Sequence, residues 1–222
     1  MSPTRPGGSN AASALVAALE RAWAAIRAQH PQVLEVVMAV ASGSVGRRGE
    51  LKLGHFAERR WTVATAERPE LFVGGEGLAA GAVEVLGTLL HEAAHGLAAT
   101  RGVQDTSCQG RYHNRRYATL AGDLGLTVQR AGARGWTATA VPAETTTVYA
   151  AVIDDLARAL VLWRRAEHPG PGKPTSNLLA AVCGCGRRIR VARSTLEEAP
   201  VLCGRCGGPF QPPADQASDF DI

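Results

Sequence analysis

The stretch Leu89-Leu90-His91-Glu92-Ala93-Ala94-His95-Gly96 places two histidines four positions apart, with a glutamate directly after the first. It lies late in an apolar, proline-free run from Ala79 to Thr100, which predicts a helix. On a helix, residues i and i+4 share a face, so His91 and His95 can direct their rings at one metal ion. Glu92 lies beside that face, where it can act as a base on a metal-bound water without being a ligand. The pattern therefore predicts a catalytic zinc site.

A catalytic zinc ion takes three protein ligands, so the two histidines need a partner elsewhere in the chain. His113 follows His95 by 18 positions, which leaves room for a turn and the start of a second helix. Asp105 and Asp123 are the only nearby carboxylates. We predict His113 as the third ligand and keep the two aspartates as alternatives.

These motifs resemble the SprT-like metallopeptidases, which are relatives of the Spartan protease domain. The likeness rests on residues 90–95, on the connector 102–106 and on residues 110–117, and the region that it covers runs roughly from 11 to 210. Many members have glycine where this chain has Asn114, whereas Tyr117 keeps the family's aromatic residue. The resemblance implies zinc-dependent hydrolysis of peptide bonds. In Spartan-type members it also implies cleavage of proteins bound or crosslinked to DNA.

The segments around the motif predict an α+β domain from residue 11 to residue 166, with a zincin-like small sheet and three main helices. One helix begins after Asn10 and ends near Gln29, with an apolar stripe at the usual spacing: Leu15, Leu19, Trp23 and Ile26. Two further helices are expected at 112–124 and 144–165, the second with an apolar face of Val148, Val152, Leu156, Leu160 and Trp163. Strands are expected at 33–40, 51–56, 60–65 and 70–73, with an interruption near Glu58. By resemblance, the strand at 70–73 would form the rim of the cleft, where an extended substrate pairs with it.

A Pro/Gly-rich linker, residues 167–176, separates this domain from a second one that contains four cysteines in two pairs. Cys183 and Cys185 form the first pair, and Cys203 and Cys206 form the second. Two pairs at this separation predict a zinc ribbon at 177–210, with strands at 188–192 and 200–202. A redox dithiol is the competing interpretation. Residues 1–10 are predicted to be disordered, and residues 211–222 form a polar, acidic tail.

Charge, hydropathy and cysteine usage bear on the location of the protein and on nucleic-acid binding. The formal net charge is +4, and the sequence contains no apolar run long enough to span a membrane. The N-terminus lacks the apolar core of a signal peptide. If the paired cysteines are metal ligands, they indicate a reducing compartment, so a cytoplasmic location is expected. Weak, sequence-independent DNA binding is predicted through four arginines of the ribbon: Arg187, Arg188, Arg190 and Arg193.

Three functions are compatible with these observations. The favoured one is a zinc peptidase with one catalytic and one structural zinc ion, acting on a protein or peptide substrate. An alternative is a nucleic-acid-binding protein in which both zinc sites are structural. A third is another metal-dependent hydrolase built on the same helix. Glu92 favours catalysis, because a purely structural site has no use for a base that is not a ligand.

Overall fold

The computed structural model describes residues 10–45, 50–166 and 178–212 of the chain. The chain divides into two compact units, Met1–His168 and Pro169–Ile222. Helices and strands occur together, so the predicted α+β class is confirmed. The expected disordered N-terminus, linker and acidic tail lie almost entirely outside the described residues. Among the described residues, none of the helices has the length and apolar character needed to cross a bilayer.

The first unit contains five α-helices and nine short or medium strands within its described part. The helices are α1 (Ala11–Gln29), α2 (Ala82–Arg101), α3 (Arg115–Asp123), α4 (Ala143–Val148) and α5 (Ala150–Ala159). The strands are β1 (Val37–Ala41), β2 (Ser44–Val45), β3 (Glu50–Leu51), β4 (Gly54–Val63), β5 (Ala66–Gly74), β6 (Thr106–Ser107), β7 (Tyr112–His113), β8 (Thr127–Gln129) and β9 (Ala138–Ala140).

The helical core follows the predicted periodicity. The stripe on α1 is buried as expected, with Leu19 and Ile26 fully inaccessible to solvent. The same core includes Leu86, Leu89 and Leu90 of α2, which precede or begin the histidine motif. α2 ends where Gly102 adopts a left-handed conformation (φ 61°), which glycine does at little cost. This buried apolar face packs the motif helix into the core of the unit.

The main sheet has the strand order β1-β5-β4. β5 lies in its centre, parallel to β1 and antiparallel to β4. The expectation that residues 70–73 form a cleft rim is therefore wrong, because the backbone of this strand is paired on both sides. β4 is the edge strand next to the motif helix, where Gly54 lies against Thr88 and Glu92. The predicted interruption near Glu58 is confirmed as a register shift between Ala57 and Trp61.

The helix predicted at 112–124 begins three residues later than expected. Asn114 is extended, and its side-chain oxygen accepts hydrogen bonds from the amides of Arg116 and Tyr117, which makes it the N-cap of α3. His113 therefore lies on β7, paired with β6, and not on a helix. The turn between these two strands contains Cys108, Gln109 and Gly110, all with positive φ.

The long helix predicted at 144–165 is broken at Tyr149 and ends at Ala159. A β-branched run, Thr145–Val148, weakens helix propensity, and Thr146 and Thr147 bond back to the carbonyls four residues earlier. The expected apolar face is only partly formed. Leu156 is fully buried, whereas Val148 and Trp163 are 62% and 57% exposed.

In residues 178–212, the part of the second unit that the structure describes, there is a three-stranded antiparallel sheet in the order β11-β10-β12 and one short helix. Its elements are β10 (Leu178–Cys183), β11 (Arg188–Ala192), α6 (Arg193–Glu198) and β12 (Phe210–Gln211). The strand at 188–192 is confirmed, whereas the one expected at 200–202 is only an isolated bridge from Leu202 to Pro209. The buried core is small and consists of Ala181, Cys183, Cys203 and Phe210.

Candidate functional site: a three-histidine cluster beside a buried glutamate

Helix α2 brings His91 and His95 to one face, as their spacing predicts. Their ring centroids lie 5.3 Å apart. β7 brings His113 to the same place, with its ring centroid 5.1 Å from His91 and 4.9 Å from His95. The fold thus gathers all three predicted ligands into one histidine cluster, and it does so although His113 lies on a strand.

The geometry of the histidine cluster fits a metal ion. One candidate ligand atom from each ring lies within 4.8 Å of the others. The Nε2 atoms of His95 and His113 are 3.1 Å apart. Tetrahedral zinc with Zn–N bonds of about 2.0–2.1 Å places its nitrogen ligands about 3.3 Å apart. The His95–His113 pair is therefore close to the spacing that zinc requires.

Asp105 lies behind His95 and does not belong to the cluster itself. Its Oδ2 is 2.5 Å from Nδ1 of His95, the ring nitrogen remote from His113. A neutral His95 that donates from Nδ1 presents a lone pair at Nε2, which is the state that a metal ligand needs. Asp123 is different, since its carboxylate pairs with Arg101 at 3.4 Å. The two aspartates kept as alternative ligands therefore have other partners.

Burial and mutual repulsion act on the three imidazoles. Burial lowers the pKa of His91 well below its ordinary value, and the neighbouring His95 and His113 add to the effect. Burial and the nearby His95 also lower the pKa of His113, to about 4. Burial opposes protonation of His95 too, but the Asp105 hydrogen bond and the charge of Glu92 outweigh it and raise the pKa. Burial thus favours the neutral form of His91 and His113, which is the form that binds metal.

Glu92 is buried next to the cluster, with 5% of its surface exposed. Burial raises the pKa of this carboxyl, and the charge of His95 and a hydrogen bond from the Phe56 amide on β4 partly offset the effect. Gly54 permits the close approach of this strand, because a Cβ there would lie 2.9 Å from Oε1 of Glu92. The edge strand therefore both orients the carboxylate and restricts the space around it.

Tyr117 forms the inner wall of the cluster. Its ring centroid lies 4.9 Å from His91, 4.9 Å from His95 and 4.5 Å from His113. The residue is completely buried, and its hydroxyl has no hydrogen-bond partner among the described residues. Its position four residues after His113 was visible in the sequence, but only the fold shows that it packs on all three rings.

A close backbone contact with Gly135 holds His113 in position. Gly135 (φ 75°) forms a bridge with His113, and the Trp136 amide donates to the His113 carbonyl at 3.0 Å. A Cβ on Gly135 would collide with that carbonyl and with the Tyr112 ring. Sequence inspection missed Gly54, Phe56 and Gly135, since an isolated glycine or a strand amide gives no local signal of its partner.

The cluster opens into a cleft of about 1050 Å³, lined by His91, Glu92 and His113. The walls come from the connection that leads into β4, from α2 and from the segments 110–113 and 133–141. Another depression, of about 570 Å³, lies beside Glu58 and Arg68 and has no histidine or cysteine in its lining. The larger cleft is therefore the one that has His91, Glu92 and His113 at its base.

The second unit gathers its four cysteines into one cysteine cluster, with one sulfur from each residue within 4.8 Å of the others. The sulfur atoms of Cys183 and Cys206 are 3.8 Å apart, and those of Cys185 and Cys203 are 3.7 Å apart. Zinc with Zn–S bonds of about 2.3 Å sets its sulfur ligands about 3.8 Å apart. The Cys183–Cys185 separation is shorter, at 2.8 Å, in the pair with a single intervening residue.

The backbone around the cysteine cluster favours thiolates. Amides of Arg205 and Cys206 donate to the Cys203 sulfur and lower the pKa of that thiol to about 6. Each pair is followed by a glycine with positive φ, Gly186 and Gly207, whose amides donate to the carbonyls of Cys183 and Cys203. These two turns let the chain fold back around the sulfurs, so the four cysteines form a group that could hold a metal ion.

The four arginines expected to contact DNA are not equivalent. Arg187, Arg188 and Arg190 are exposed. Arg188 and Arg190 alternate along the edge strand β11 with Ile189 and Val191, which pack against the core of the unit. Arg193 begins α6 and is partly buried. The fold therefore places Arg188 and Arg190 on one solvent face of β11.

Comparison of the chain with protein-family models, with curated proteins and with solved structures gives no match.

Proposed function

We propose that this protein is a zinc-dependent metallopeptidase of the SprT-like type, with a catalytic ion at the histidine cluster and a structural ion at the cysteine cluster. One observation carries the proposal. Glu92 is buried beside the three histidines and lines the same cleft, yet it is oriented by the Phe56 amide and is not one of the three grouped ligands. A structural site has no use for such a carboxylate, whereas hydrolysis needs a base there.

Each residue has a distinct part in this function. His91, His95 and His113 would hold the zinc ion, with Asp105 fixing the tautomer of His95. A zinc ion held by these residues would polarise a scissile carbonyl and acidify water. Glu92 would take a proton from the attacking water and return it to the leaving amine. Burial raises the pKa of this carboxyl, which makes the carboxylate a stronger base.

The cysteine cluster supports a zinc ribbon with a structural role. It combines four ligands of one type, and its unit has few buried apolar residues. A site with four protein ligands has no open position for a substrate, in contrast to the three-histidine cluster. We therefore assign catalysis to the first unit alone.

The test compares the full-length zinc-loaded protein with its Glu92→Gln variant on an unstructured protein substrate. The amide keeps the shape of the side chain but is no base, so we expect unchanged zinc content and a loss of ~10²–10⁴ in rate. Glu20→Gln, an exposed glutamate on α1, is the matched control and should cleave normally. Equal cleavage by the Glu92→Gln variant contradicts the mechanism. Tight zinc binding without cleavage by the unmodified protein would favour two structural sites.

A further inference from the structure

Three cationic side chains line the cleft above the histidine cluster: Lys52, Arg111 and Arg134. All three residues are exposed. The carboxylates in the same lining are Glu84, which is exposed, and Glu92, which is buried at the base. Among the described residues of the cleft lining, cationic side chains therefore outnumber exposed carboxylates.

Each of these three cations lies on a segment whose backbone is held close to Glu92 or to His113. Lys52 is two residues from Gly54, which lies against Glu92. The backbone amide of Lys52 donates to the Gly43 carbonyl at 2.7 Å. The charge of Lys52 is close enough to Glu92 to lower the pKa of that carboxyl, although burial dominates. The backbone at Lys52 is thus held in place rather than being part of a free loop.

The two arginines flank His113 from different segments. Arg111 precedes it by two residues at the end of the turn that leads into β7, and its side chain donates to the neutral amide of Gln109 at 3.0 Å. Arg134 ends a short 3₁₀ turn and is followed directly by Gly135, which is bridged to His113. A residue on this turn cannot drift away from the cluster without breaking that bridge.

From this arrangement we infer that the cleft selects peptides that carry aspartate or glutamate side chains next to the scissile bond. The inference rests on the proposed peptidase function for the identity of the ligand. A peptide bound in the cleft meets cations contributed by three separate segments, so its carboxylates gain favourable partners near the histidine cluster. Lysine or arginine at these positions is repelled, which turns the charged walls into a selectivity device.

The experiment measures binding and cleavage separately with three matched peptides that differ only in having Glu, Gln or Lys around one central sequence. Binding is measured by fluorescence anisotropy on the full-length, zinc-loaded Glu92→Gln protein, and cleavage on the protein with Glu92 intact. The Glu peptide should bind best and the Lys peptide worst, with a preference that falls as salt rises. Exposed ion pairs of this kind change affinity by about two- to fivefold each.

Variants that each remove one positive charge show which side chains cause the preference for the Glu peptide. Lys52→Gln, Arg111→Gln and Arg134→Gln should each reduce the ratio of Glu- to Gln-peptide affinity by about two- to fivefold. Arg130→Gln removes the same charge from an exposed residue outside the cleft lining and should leave the ratio unchanged. The ratio is taken within one protein sample, so a variant that is partly unfolded still gives a valid result.

The outcomes separate the inference from the proposed function. Equal affinity for all three peptides, or a preference that the three variants do not change, overturns the inference even if cleavage occurs. Binding of a single-stranded oligonucleotide that depends on the three cations, without discrimination among the peptides, overturns it in favour of nucleic acid. Selective binding of the Glu peptide without any cleavage supports the inference and contradicts the peptidase function.

Discussion

At the scale of single residues, Gly54 controls the position of the proposed base. A Cβ at this residue would lie 3.0 Å from Thr88 Cγ2 and 3.1 Å from Glu92 Cγ, in addition to the contact with Oε1. Gly54→Ala should therefore displace the carboxylate and lower the rate of peptide cleavage by about 10²-fold, since small errors of position are costly in catalysis. Zinc content should stay unchanged, because none of the three histidines is touched.

Gly122→Ala is the matched control for this substitution. Gly122 is exposed on α3, and a Cβ there meets nothing within 4 Å. Cleavage should be normal, and the free energy of unfolding should rise by about 0.5–1 kcal/mol because alanine is the better helix former. Equal activity in both variants would show that the edge strand does not position Glu92.

The roles of His113 and Asp105 can be distinguished by metal affinity. His113→Ala removes a ligand and should abolish tight zinc binding at the histidine cluster. Asp105→Asn keeps all three ligands but weakens the support of His95, so affinity should fall by only about 10–100-fold. Titration against a chromogenic chelator measures both effects, with Asp123→Asn as the control. Tight binding by the His113→Ala variant would instead indicate Asp105 as a direct ligand.

At the scale of elements, the second unit depends on its cysteine cluster. Its apolar core is small among the described residues, so burial offsets little of the conformational entropy of folding, whereas a structural zinc site contributes about 10–16 kcal/mol of binding free energy. Replacement of Cys203 and Cys206 by serine should remove one zinc ion per chain and unfold β10–β12. The histidine site should keep its ion.

Cys108→Ser provides the control for the cysteine substitutions. Cys108 is exposed in the β6–β7 turn and is not one of the grouped sulfurs. Its replacement should leave both zinc ions in place, as measured by elemental analysis, and hydrogen exchange should remain slow in β10. Loss of both ions in the double serine variant would contradict independent sites.

At the scale of the whole molecule, we expect weak and sequence-independent DNA binding through the exposed arginines of β11 and its approach. Phosphate contacts dominate such binding, so each lost contact should flatten the dependence of log affinity on log salt by about 0.7–0.9. Substitution of Arg187, Arg188 and Arg190 by glutamine in the full-length protein should therefore reduce both affinity and salt dependence. Arg193→Gln should have a smaller effect, because that side chain is partly buried at the start of α6.

A chain ending at Glu167 provides a second arm of the DNA experiment. It should keep the histidine-bound zinc but lose most of its DNA affinity in fluorescence anisotropy. Equal affinity of the full-length and shortened proteins would exclude the second unit from DNA binding. Any remaining affinity would then be assigned to the arginines of the first unit.

Local sequence patterns determined the features that depend on neighbours along the chain. The stripe of α1, the shared face of His91 and His95, the helix end at Gly102 and the pairing of the cysteines all follow from spacing or from glycine chemistry. The predictions from the sequence were wrong where two local signals competed. Asn114 capped α3 and left His113 on a strand, and the threonines before Tyr149 split the last helix of the first unit.

Contacts between distant segments were decided only by the tertiary structure. The central position of β5, the placement of Gly54 and Phe56 against Glu92, and the support of His95 by Asp105 each join parts of the chain that no periodicity connects. The reason is physical: strand order and side-chain partners are selected by the combined burial of the whole core, whereas spacing along the chain reports only which residues share a face. The sequence by itself therefore determined which residues could bind metal, and only the packed fold decided what holds them in place.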